Sequence, residues 1–164
     1  MNYNKKEERP PITEEKALSR MMLISSRKEY CTHDIYQKLY RLTLEEEAIE
    51  RIIARLHENK FIDDRRFTRS YINDKLRFNK WGKVKIVHHL RHKRVPDQII
   101  DEAFEEIAEE QLTEALEPII IKKYKSVKGD TDYEKRNKVI RYALGRGFEM
   151  GDIIDILDRL KQEE

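Results

Sequence analysis

The sequence predicts an all-α protein: three tandem three-helix units, about nine helices, in an elongated, helix-turn-helix-like repeat. Apolar residues recur at helical spacing along nearly the whole chain, and no segment alternates strictly as a half-buried strand would. Five glycines and four prolines in 164 residues leave little room for long loops. With 40% charged and 38% apolar residues, the chain suits a high surface-to-volume ratio better than a compact globule.

Residues 1–11 read as a disordered leader ending at Pro10-Pro11, where a helix cannot yet run. In the first unit, 12–60, Thr13 reads as an N-cap ahead of Glu14 and Glu15, whose charges suit a helix start. Ala17, Leu18, Met21, Met22 and Ile24 then form an apolar stripe to about Ser26. Thr32 starts a second helix through Ile35 and Leu39. Thr43 with Glu46 forms a T-x-x-E capping box for a third, which ends near Asn59.

In the second unit, 61–107, Asp63 or Asp64 caps a helix carrying Phe67, Tyr71, Leu76 and Phe78, and Trp81-Gly82 breaks it. Val84, Ile86, Val87 and Leu90 mark the next helix. Pro96 fits the first turn of another, with Ile99, Ile100, Ala103, Phe104 and Ile107. In the third unit, 108–164, a helix starts at Glu109 or Glu110 and meets Pro118, where a kink or an early end is expected. Further helices span about Asp132 to Leu144, stopped by Gly145 or Gly147, and run on from about Gly151. Leu39, Leu90 and Leu144 each precede an isoleucine by ten residues (Ile49, Ile100 and Ile154), a repeat of roughly fifty residues.

Cys31 is the sole cysteine, so no internal disulfide is possible. No apolar run is long enough to cross a bilayer, and the N-terminus lacks the apolar centre of a signal peptide. A monomer in the reducing cytoplasm, away from membranes, is the expectation.

The formal charge of +2 says little, because the charges are clustered. From Lys75 to Val95 there are eight Lys or Arg, three His and no carboxylate. From Asp97 to Glu117 there are nine carboxylates and no Lys or Arg. The basic run comprises Lys75, Arg77, Lys80, Lys83, Lys85, Arg91, Lys93 and Arg94, and it is the leading candidate for phosphate contacts. Lys135, Arg136, Lys138 and Arg141 extend it in the third unit. The acidic block reads more simply as a solvated helix face. Tyr71, Phe78 and Trp81 lie beside the cations, where aromatics can stack on bases. Phe67 and Trp81 read first as core, because small units need large side chains inside.

Phe61-Ile62-Asp63-Asp64 with Phe67, Tyr71 and Lys75 resembles the L-D-D-x-x-F-A signature of the RecX family. Gly82, Ile86, Leu90, Lys93, Ile99 and Ile100 resemble that family's second-unit pattern. Arg146-Gly147-Phe148 with Ile153 and Ile154 resembles its C-terminal R-G-F motif, and Thr32, Asp34, Ile35 and Leu39 are similar to its first-unit motif. The likeness runs from about Ala17 to Leu160. Arg94 departs from it, standing where many members place glycine, and so does Thr68, in place of alanine.

The resemblance implies a regulator of the RecA recombinase, active in homologous recombination, DNA repair and the SOS response. Members lie in the groove of the RecA–DNA filament, lower its ATPase and strand-exchange activity, and can contact single-stranded DNA. The alternative is a direct DNA-binding, helix-turn-helix-like protein, and a third reading is a scaffold with no nucleic-acid partner.

No enzyme, cofactor or metal is expected. Asp63-Asp64 reads as a cap and not as a metal-binding pair. His88 and His92, four residues apart, have no evident third ligand. Cys31 has no evident histidine partner, and there is no glycine-rich phosphate loop.

Overall fold

The computed structural model describes residues 12–162, so the leader expected over 1–11 lies outside them. The described residues form nine α-helices and no strand. They fall into two compact units, which divide between Phe67 and Thr68.

In the first unit, α1 (Glu14–Ser25) and α2 (Thr32–Tyr40) both pack on α3 (Glu46–Glu58). The apolar stripes meet in a core of Ala17, Leu18, Met21, Ile35, Leu39, Ile49, Ile52, Leu56 and Ile62. Thr13 caps α1, its hydroxyl accepting from the Lys16 N–H at 3.3 Å. The capping box expected at Thr43 does not form. Thr43 instead takes a left-handed conformation (φ 58°) and its N–H donates to the Tyr40 carbonyl, closing α2. α3 therefore starts two residues later than expected, with Glu45 at the N-cap position, and the Glu46 carboxylate accepts the Tyr36 hydroxyl at 3.0 Å.

Both aspartates of the Asp63-Asp64 pair cap helices, but different ones. Asp63 Oδ1 accepts from the N–H groups of Arg65 and Arg66 at 2.9 and 3.0 Å, starting α4 (Asp64–Asp74). These bonds, that from Arg66 foremost, hold its carboxyl below the ordinary carboxylate range. Asp64 Oδ1 accepts the Thr32 N–H at 2.7 Å and so caps α2, thirty-two residues upstream. Cys31, the residue before that helix, is buried.

In the second unit α4 ends in a π-helical turn, Lys75–Asn79. Lys80 then turns left-handed (φ 54°), and the Trp81 N–H returns to the Lys75 carbonyl at 3.1 Å. The helices that follow are α5 (Lys83–His92), α6 (Asp97–Glu105), α7 (Glu109–Ser126), α8 (Asp132–Gly145) and α9 (Met150–Gln162). Ile72, Leu76, Ile86, Leu90, Val95, Ile100, Ala103 and Phe104 are buried along α4 to α6. α7, α8 and α9 pack on one another around Leu116, Ile120, Val139, Ala143, Phe148, Ile153, Ile156 and Leu157.

α7 does not end early at Pro118. It runs on to Ser126 with the proline on its exposed side, where the lost hydrogen bond can be met by water. Thr131 caps α8, accepting the Glu134 N–H at 3.2 Å.

The repeat is real in the packing, but its third copy is one residue out of the expected register. Ala143 and Ile153 are buried where Leu39 and Ile49, and Leu90 and Ile100, are buried in the earlier copies. Leu144, by contrast, is 39% exposed. Arg94 and Gly147, both of positive φ, close α5 and α8 at the matching place. In each case the next residue's N–H reaches back five residues, Val95 to the Leu90 carbonyl and Phe148 to that of Ala143.

Candidate functional site

The basic run folds around Trp81. The ammonium groups of Lys75 and Lys85 lie 4.8 and 4.6 Å from its ring centre, and the His89 ring is 4.5 Å away. Lys75 is also 5.1 Å from the Tyr71 ring. Trp81 is half-buried, so it is not the core residue the sequence suggested. It sits under two lysines, in contacts worth about 0.5–1 kcal/mol each at exposed sites. Phe67 does go inside.

His88, His89 and His92 continue the surface along α5, with ring centres 6.0 and 5.8 Å apart in sequence order around His88. Burial pushes the His89 imidazole below its usual range, and His88, Lys85, Lys75 and His92 push in the same direction. Among the described residues no group of three His, Cys, Asp or Glu is placed to hold a metal ion.

The other candidates differ in what they are free to do. Arg77, Lys80 and Arg94 are exposed, and Phe78 stands 79% exposed on the π turn between the first two. Lys83 lies 5.3 Å from the Phe104 ring, while Lys93 is half-buried. Arg91 is held by Asp97 at 2.8 Å, and Arg69 makes a two-pronged pair with Glu106 at 2.6 Å. Part of the acidic block thus neutralises arginines of its own unit.

On α8, Arg136 pairs with Asp158 at 2.7 Å and Lys138 donates to the Lys128 carbonyl at 2.8 Å. Lys135 is half-buried and Arg141 exposed. Three cations outside the expected set, Lys122, Lys123 and Arg146, line a cleft together with Lys80. Their lysines close a helix, where cations are ordinary partners of the dipole, and that masked them in the sequence.

The R-G-F segment itself locks α8 to the start of α5. The Gly82 N–H donates to the Arg146 carbonyl at 2.8 Å, and the Val84 N–H donates to the Gly147 carbonyl at 3.0 Å. The Arg146 guanidinium donates to the Asn79 carbonyl at 3.1 Å. Two otherwise unsatisfied donors at a helix start are met by carbonyls at a helix end. The glycines make this possible: a Cβ on Gly82 would come within 2.3 Å of the Gly147 carbonyl oxygen.

Comparison with known proteins decides what this arrangement is. Residues 63–103 match the second three-helix domain of RecX, and residues 109–157 match the third. The regulatory protein RecX of Prosthecochloris aestuarii is 34% identical over 147 residues, covering 88% of this chain and 93% of its own. This chain belongs to the RecX family.

RecX of Clostridium acetobutylicum is 36% identical over 134 residues, and the match spans 79% of this chain but only 62% of that longer protein. A crystal structure of regulatory protein RecX matches with a TM-score of 0.81 and 26% identity, covering 88% of this chain and 73% of its own. RecX from Lactobacillus salivarius shares the fold, with a TM-score of 0.82 over 91% of this chain and 97% of its own, at 22% identity. The Gly82–Gly147 seam thus joins the second RecX three-helix domain to the third. No described helix is long and apolar enough to cross a membrane.

Proposed function

We propose that this chain is a non-enzymatic regulator of RecA-mediated recombination and repair in the bacterial cytoplasm. As a monomer it lies in the groove of the RecA–DNA filament and lowers ATP hydrolysis and strand exchange. The units 12–60, 61–107 and 108–164 serve as successive contact elements.

The observation that carries this reading is the Trp81 surface. Lys75 and Lys85 are held over an indole, and among the described residues neither is in an ion pair. Cations held in place and free of carboxylates suit a polyanionic groove, where each contact releases a counterion. Arg77, Lys80, Lys83 and Arg94 extend the surface, Lys135 and Arg141 add to it, and Lys93, half-buried, lies at its edge with a contact of its own. Arg91 and Arg136 contribute less, because a carboxylate already holds each.

The test is ATP hydrolysis by RecA filaments assembled on single-stranded DNA, titrated with this protein. The chain should inhibit, and Lys75→Glu with Lys85→Glu should raise the concentration needed by at least about tenfold, with helicity unchanged. Inhibition unaltered by the double reversal overturns the assignment. Binding to the same DNA without RecA runs in parallel. Salt-sensitive binding to bare DNA with no effect on RecA selects the direct DNA-binding reading, which the exposed Phe78 beside Arg77 and Lys80 favours.

A further inference from the structure

Lys80, Lys122, Lys123 and Arg146 line a single cleft of about 460 Å³ in the second unit, against α7, α8 and the π turn. Its apolar wall comes from Ala115, Pro118 and Ile119. The chain has 34 basic and 32 acidic residues, and elsewhere in this unit arginines find carboxylates: Arg69 with Glu106, Arg91 with Asp97, Arg136 with Asp158. In the cleft four cations face one carboxylate, Glu114, and among the described residues none of the four forms an ion pair. Such a cluster repels itself until something of opposite charge arrives.

The cations are also held in advance. Lys123 and Arg146 lie 4.7 and 5.0 Å from the Tyr142 ring centre, which braces both. One arm of the Arg146 guanidinium is fixed on the Asn79 carbonyl, while its Nε–H is buried without a partner. Lys80 is placed at the rim by the left-handed turn (φ 54°) that closes the π-helical segment.

We propose that this cleft is a phosphate-binding site of its own, adjoining the Trp81 surface at Lys80 and filled by the phosphate of a nucleoside phosphate unit. Phosphate is favoured over a lone carboxylate because its several acceptor oxygens and higher charge can engage more than one of the four cations. The apolar wall gives the attached base somewhere to rest, and the volume falls in the range of small-molecule sites, on the order of 300–1,000 Å³. A free nucleotide and a single strand present the same group. The proposal does not depend on regulation of RecA, which the ATPase titration reads separately.

The experiment is calorimetric titration of the full chain with inorganic phosphate, with thymidine monophosphate and with an oligothymidylate of roughly fifteen nucleotides. Lys122→Glu with Lys123→Glu should weaken binding by about tenfold or more, and Glu114→Gln should strengthen it by about two- to fivefold. Monophosphate binding that responds to both variants identifies a free nucleotide. A response confined to the oligonucleotide identifies the strand. If no probe's affinity responds to either variant, the proposal is overturned. Should the double variant lose helicity, Glu114→Gln decides alone, and unchanged affinity there is equally fatal.

Discussion

Arg94 and Gly147 stand at the same turn of successive repeats, each ending the middle helix of its unit with the backbone left-handed. The hydrogen bonds are alike, yet the surroundings are not. Arg94 is exposed, and its side chain leaves the turn freely. At Gly147 an added Cβ would lie 2.3 Å from the Lys85 Cβ and 2.5 Å from the Lys85 nitrogen. The turn itself therefore tolerates a side chain at modest cost. Glycine is required at the second site by the helix packed against it.

That contrast can be broken from both sides. Gly147→Ala should destabilise the chain most, by about 2–4 kcal/mol, and Gly82→Ala by a similar amount, because backbone and not a flexible side chain blocks the new methyl. Urea unfolding measures this, and a loss under about 1 kcal/mol for both variants would mean that the seam is looser than its geometry.

Arg94→Gly should act in the opposite direction. It relieves the left-handed strain and stabilises by about 0.5–1 kcal/mol, while Arg94→Ala stays near neutral. Destabilisation by Arg94→Gly would show that the guanidinium holds something in the fold.

The smallest effect lies on the Lys85 side of the seam. Nuclear magnetic resonance titration should place the His89 midpoint below the ordinary value of about 6.5. The depressed value means that the unfolded chain binds the proton first. This contribution to stability is accordingly present above the ordinary pKa and is lost as pH falls through the lower folded one. Lys75→Ala with Lys85→Ala should recover only part of the shift, since burial is its leading cause. Full recovery would reassign the shift to charge.

Much of the fold was legible, and the misses have physical reasons. Thr13 could be read as a cap because it precedes acidic residues and an apolar stripe. Thr43 offered the same signal, but α2 needed a residue to close it first. Leu144 and Ile154 gave a plausible register because neighbouring apolar residues on a helix let a stripe slip by one, and only burial separates Ala143 from Leu144. The π turn could not be seen, since KLRFN carries no mark that distinguishes it from an ordinary helix end.

The site was legible as a composition and not as a shape. The cations between Lys75 and Arg94 were evident, but Lys75 and Lys85 meet over Trp81 only because the π turn carries the chain back. Arg91 looked as free as its neighbours until α6 brought Asp97 to it. Lys122 and Lys123 gain meaning only beside Tyr142 and Arg146, which belong to another helix.

The seam between Gly82 and Gly147 also sets an order of events. Arg146 reaches the Asn79 carbonyl across 67 positions of chain, so this contact must wait until α7 and α8 have formed and docked. Until then the first amides of α5 face water with no carbonyl to receive them. Deuterium labelling during refolding would thus find Gly82 and Val84 protected late, after the helix they begin. Those two amides time the arrival of a helix encoded far downstream.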